Sequence, residues 1–197
     1  MMNQYEETDE ETRHPSNANM ALSPSSRSLQ LTHCHPLQRH AEMWHSDFGI
    51  QRENNMANQT AVRFGYPDTL IREYDHWLVL LREPQATLGS LILCAKPDVT
   101  EFSALPAAAF AEMDVVVSEI EHALKAAFSY DKINYMMLMM VDPNVHFHVI
   151  PRYSETPSAC GLTIPDPGWP ALPQLGEAME ISPTERDALR SHISNCW

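Results

Sequence analysis

Apolar and polar positions change character partway along the chain. Residues 1–60 are polar and weakly patterned, with an acidic run Glu6-Glu7-Thr8-Asp9-Glu10-Glu11 and a serine-rich patch Ser23-Pro24-Ser25-Ser26. Such a segment buries too little apolar area to offset its ordering entropy, so it is expected to be a largely disordered extension. From Val62 short apolar runs alternate with turn residues. Thr69–Tyr74 and His76–Leu81 read as strands, with Asp75 marking a bend in one long strand or a tight connection between two. Gly89–Ala95 is a third strand, closed by Lys96-Pro97-Asp98 because proline cannot donate to a central ladder. The linkers are too short for helical crossovers, which makes these strands antiparallel neighbours.

The period then changes from two to between three and four. Phe110, Met113, Val117, Ile120, Leu124 and Phe128 predict a long helix over Pro106–Phe128 whose apolar stripe covers a sheet. Proline fits its first turn, where an amide would lack an internal partner. Asn134–Val141, with four methionines in a run apolar on both faces, is expected to be a strand covered on both sides. Asp142-Pro143 turns the chain into a fifth strand and closes a hairpin. Beyond Tyr153 come Pro157, Pro165, Pro167, Pro170 and Pro173 with Trp169 among them, an extended segment able to anchor through its tryptophan. Ser182-Pro183-Thr184-Glu185 is a capping box that starts a short helix from Pro183 to about Ile193. The predicted class is α+β: an antiparallel sheet of about five strands packed with one long helix. The domain is placed at residues 61–156, between the extension 1–60 and a proline-rich extension 157–197.

Composition narrows the function classes. Among 197 residues, 13 Lys+Arg against 26 Asp+Glu give a formal net charge of -13, a field that repels polyanions and argues against nucleic-acid polymers as partners. Cys34, Cys94, Cys160 and Cys196 form no CxxC pair, as expected of reduced thiols in the cytoplasm. No stretch reaches the ~18 apolar residues needed to span a bilayer, and no signal pattern opens the chain, so a soluble, cytoplasmic protein without membrane partners is expected. His33, Cys34, His35, His40 and His45 match no zinc module with four defined ligands and read as chance clustering.

The chemistry concentrates in Val141–Tyr153, reading Val-Asp-Pro-Asn-Val-His-Phe-His-Val-Ile-Pro-Arg-Tyr. A strand's two-residue period puts His146 and His148 on one face with Asn144 and Ile150, and turns Val145, Phe147 and Val149 the other way. Paired imidazoles on a rigid strand can form a nucleophile with a supporting partner, or part of a zinc site that still needs further ligands.

The order of elements, with Thr87-Leu88-Gly89-Ser90, Asp131-Lys132-Ile133-Asn134-Tyr135 and Val145-His146-Phe147-His148-Val149-Ile150-Pro151-Arg152, resembles the histidine triad (HIT) family of nucleotide hydrolases and transferases. The resemblance implies that His146 takes the place of the nucleophile and His148 that of the third histidine. Asn144 stands where the first histidine is expected, and Ser90 where many relatives carry histidine after the glycine. It further implies attack by His146 on the α-phosphorus of a nucleotide derivative, such as a phosphoramidate, a dinucleoside polyphosphate or a nucleotidyl conjugate, through a nucleotidyl-histidine. Substrate contacts are expected from Arg152, Ser90, Asn134 and Arg82, with no metal or cofactor, in a homodimer. Two other functions are open to the same residues. One is a nucleotide-binding module without turnover, prompted by Asn144 and Ser90; the other is a zinc-dependent hydrolase.

Overall fold

The computed structural model describes residues 58–197. The polar extension up to residue 57, with its histidines and Cys34, lies outside the described residues. The first element is a short helix, α1 (Gln59–Arg63), capped by the Asn58 side chain, which accepts from the Ala61 amide. Asn58 and Thr60 are buried and belong to the folded body, although the sequence pattern placed them in the extension.

Strands β1 (Leu70–Glu73) and β2 (Trp77–Leu81) pair antiparallel, and the Tyr74 amide donates to the Trp77 carbonyl across the tight connection. Strand β3 (Leu91–Ala95) follows a turn in which Gly89 has φ +82°, then comes α2 (Ala107–Phe128). Strands β4 (Lys132–Met136) and β5 (His146–Arg152) complete a five-stranded antiparallel sheet in the order β1-β2-β3-β5-β4. A small hairpin of β6 (Ser158–Ala159) and β7 (Leu162–Thr163) leads to α3 (Pro183–Ser194), which begins with the expected capping box. Before α3 the C-terminal segment pairs with the β2–β3 connection through the Gln85 and Met179 backbones.

Both faces of the sheet carry apolar side chains. One packs Trp77, Val79, Leu81, Leu91, Leu93, Val145 and Val149 against α2 and α3. The other gathers Leu78, Leu80, Ile92 and Cys94 beneath Ala61 and Phe64. Strands β2 and β3 are buried throughout for that reason. Among the described residues no helix is long and apolar enough to cross a membrane.

Two elements differ from the pattern. The buried stripe of α2 is Ala109, Val116, Ile120, Ala123, Leu124 and Phe128, while Phe110 is 39 % exposed. Alanines at the seam let the helix approach the sheet closely, and Phe110 instead packs edge-on against Phe102. Strand β4 ends at Met136 and was expected to run to Val141. Met137, Leu138, Met140 and Val141 form an irregular, exposed connection, with Met140 95 % exposed.

Candidate functional site

The sheet's second face is organised by register. His146 pairs with Cys94, His148 with Ile92 on one side and Met136 on the other, so the imidazoles point away from α2. Their ring centroids are 5.2 Å apart at an interplanar angle of 69°. Phe64, immediately after α1, packs on both, with centroids 5.3 Å from His146 and 5.7 Å from His148.

The two histidines are held in different ways. His146 is fully buried, and its Nδ1 lies 2.8 Å from the backbone carbonyl of Asn144. A carbonyl only accepts, so Nδ1 carries a proton, and in the neutral form of the ring the lone pair is on Nε2. That Nε2 is buried and, among the described residues, has no hydrogen-bond partner. His148 Nδ1 instead accepts from Arg82 Nε at 3.4 Å, which places the His148 proton on Nε2 as a donor. Burial, reinforced by the Arg82 charge and by His146, pulls the His148 pKa down to about 4, so the ring is neutral at pH 7. The Cys94 thiol opposite His146 is pushed up to about 12, chiefly by burial, and is no competing nucleophile.

Asn144 lies two residues before His146 with its side chain buried, directed toward α1 and the loop after β3. Its Oδ1 accepts from Thr60 Oγ1 at 3.0 Å, and its Nδ2 donates to Asp98 Oδ1 at 2.6 Å. Arg82 is buried beside His148, with another of its nitrogens donating to the Pro84 carbonyl. Ser90 is committed to a turn: Oγ accepts from the Thr87 amide at 3.0 Å and donates to the Thr87 carbonyl at 2.8 Å. Buried Gln85 braces the same turn through the Gly89 and Ser90 amides.

Arg152 and Asn134 are placed elsewhere. Arg152 shares the imidazole face, but four residues past His148, about 13 Å along the strand. There its guanidinium pairs with Asp166 at 2.6 and 3.2 Å and donates to Asn134 Oδ1 at 2.8 Å and to the Ala171 carbonyl at 2.9 Å. Asn134 and Arg152 line a cleft of about 510 Å³ with Met136 and Pro170–Pro173. Among the described residues no three His, Cys, Asp or Glu side chains are grouped to hold a metal ion, so the further ligands a zinc site needs are not found there.

Phe64, Thr60 and Asp98 were not singled out in the sequence. Asn58 carried the only usable signal, a good N-cap residue directly before Gln59–Arg63. Nothing local linked that helix to the histidine strand.

Residues 63–155 match the family model described as HIT domain. Among solved structures, a histidine triad protein from Sinorhizobium meliloti is 22% identical, with TM-score 0.57 over 71% of this chain and 95% of that one. A histidine triad protein from Marinobacter aquaeolei is 22% identical, with TM-score 0.52 over 64% and 86%. A hypothetical histidine triad nucleotide-binding protein from Sulfolobus tokodaii is 15% identical, with TM-score 0.52 over 65% and 82%. These likenesses establish the fold. No curated protein sequence matches the chain.

Proposed function

The chain carries a HIT domain over residues 63–155, and from that premise we propose that it cleaves a nucleotide derivative at the α-phosphate through a nucleotidyl group on His146 Nε2. The observation that carries the reading is the state of His146: Nδ1–H donates to the Asn144 carbonyl, and Nε2 is left with an unpartnered lone pair.

In the first step the Nε2 lone pair attacks phosphorus, a P–N bond forms, and the bond to the leaving group breaks with its electron pair. The ring becomes cationic, and the Asn144 carbonyl stabilises that charge through Nδ1–H. His148, neutral and protonated on Nε2, donates to a phosphoryl oxygen while Arg82 beside it offsets the charge. Water then attacks phosphorus, the P–N bond breaks, and His146 is restored with release of a nucleoside monophosphate; another acceptor in place of water makes the reaction a transfer. Covalent catalysis of this kind divides one difficult displacement into two. Asn144 cannot donate a proton as an imidazolium would, so the leaving group draws its proton from water or leaves as an anion. Phe64 packs against both rings, so its side chain moves aside as substrate enters.

A second reading, nucleotide binding without turnover, draws support from the full burial of His146 and the lack of an acid at position 144. A homodimer accompanies the first reading, supported by the outer position of β4 and the exposed Met137, Leu138, Met140 and Val141. The test is mass spectrometry after mixing the protein with a nucleotide phosphoramidate or a dinucleoside polyphosphate. The quench is an alkaline denaturant, because phosphohistidine is acid-labile. A nucleotidyl adduct in the wild type and none in His146→Gly is expected. An adduct that persists in His146→Gly sinks the proposal, and AMP binding with neither adduct nor turnover favours the second reading.

A further inference from the structure

Asn144 lies in the bend before β5, outside the strand itself, and its carbonyl, in one peptide unit with the Val145 amide, is what holds His146. Every other polar group of the residue is engaged. The Asn144 amide donates to Thr60 Oγ1 at 3.3 Å, and Thr60 Oγ1 donates back to Asn144 Oδ1 at 3.0 Å, closing a ring of two bonds. The Thr60 amide adds a longer contact to the same oxygen at 3.4 Å, and Nδ2 is taken by Asp98 at 2.6 Å. The Val145 amide donates to the Val99 carbonyl at 2.9 Å, so the loop carrying Asp98 grips the chain on both sides of the carbonyl. The remaining polar group, the Asn144 carbonyl, accepts from the imidazole.

We propose that Thr60 and Asp98 are positioning residues for His146, acting through Asn144: together they orient the Asn144 peptide so that its carbonyl selects the Nδ1–H tautomer and presents Nε2 as the nucleophile. The inference rests on the reading of His146 as the nucleophile. It goes further by assigning a role to Thr60, which lies before the matched domain at 63–155, and by explaining what an asparagine does at position 144. Asparagine suits the place because one short side chain presents an acceptor and a donor side by side, toward Thr60 and Asp98 respectively.

The direct test is 15N NMR of the imidazoles in full-length protein at neutral pH, with resonances assigned through His146→Gln, together with steady-state kinetics. The variants are Thr60→Val and Asp98→Ala, against the conservative Thr60→Ser and Asp98→Asn, which keep the required donor or acceptor. Wild type is expected to show His146 protonated on Nδ1. The disrupting variants should show mixed tautomers and a kcat lowered by roughly a hundredfold, the scale of a misplaced reacting group, with KM little changed. The conservative variants should recover both readouts. A wild-type ring protonated on Nε2 overturns the inference, as does an unchanged His146 spectrum in folded Thr60→Val and Asp98→Ala. The NMR arm reads the tautomer in a protein that forms no adduct, so failure of the nucleophile reading and failure of this one are separately visible.

Discussion

Arg152 provides the sharpest test of how this fold uses its charges. Its side chain is 5% exposed and that of its partner Asp166 is 0% exposed, with Nε 2.6 Å from Oδ2. Replacing Arg152 by Gln leaves a buried carboxylate that, among the described residues, keeps the amides of Tyr153 and Gly168, each at 3.2 Å. Breaking a buried pair from one side typically costs about 3–5 kcal/mol, because the surviving charge is desolvated without compensation. The two remaining amides soften that penalty, so we expect a loss of about 3 kcal/mol in urea denaturation, a large fraction of the stability of an ordinary domain. Replacing both partners, Arg152→Met with Asp166→Leu, removes the uncompensated charge and should cost less than the sum of the single changes, a coupling readable in a double-mutant cycle. AMP affinity, measured by calorimetry below the unfolding transition, should be unchanged in Arg152→Gln. A variant that keeps its stability within about 1 kcal/mol but loses AMP binding would refute the assignment and return Arg152 to the phosphate.

Further outcomes follow from the same geometry. His148 has a folded pKa of about 4 against an ordinary 6.5, so between those values the unfolded chain takes up a proton that the folded one refuses. This contribution is complete above about pH 6.5 and is lost as pH falls toward about 4. It is worth about 3 kcal/mol at about 1.4 kcal/mol per pKa unit, or about 2 kcal/mol after allowance for solvent screening at a partly open site. Urea titrations at about pH 7.5 and about pH 4.5 should show a smaller stability difference in His148→Gln than in wild type, and equal differences would remove the argument. Gly89→Ala should lower Tm, since a Cβ there meets Phe128 Cε2 at 2.5 Å and φ is +82°. Overpacking of this kind typically costs about 1–3 kcal/mol, and an unchanged Tm would contradict the turn geometry.

The parts of the molecule that could be read in advance are those whose cause lies within a few residues. Alternation across Val145–Ile150 placed both imidazoles on one face, and register confirms it through Cys94, Ile92 and Met136. Ser182 and Glu185 announced the start of α3, and both bonds of the capping box are formed. The stripe of α2 was displaced because hydropathy gives weight to Phe110, whereas close packing on a sheet rewards Ala109 and Ala123, which no hydrophobic period emphasises. The methionine run had the composition of a buried strand, but the chain after Met136 finds no second strand to pair with among the described residues, and its side chains stay exposed.

Charge and polarity follow a different logic, because a polar side chain's role is set by the group that satisfies it. Arg152 in a Pro-Arg pair looks the same in sequence whether it meets a phosphate or Asp166, and the deciding carboxylate comes 14 residues later, in the turn Pro165-Asp166-Pro167. Asn144 looks like a lost histidine until Thr60 is found 84 residues away, returning a hydrogen bond to each bond it receives. With Arg152 satisfied by the C-terminal segment, the proposed reaction leaves stabilisation of a phosphoryl group at the histidine pair to Arg82 and the Nε2–H of His148, while the Asn144 carbonyl supports the charge that develops on His146. That set has one cation and no strong acid. It suits a substrate whose leaving group departs readily and disfavours one that must be protonated as it leaves.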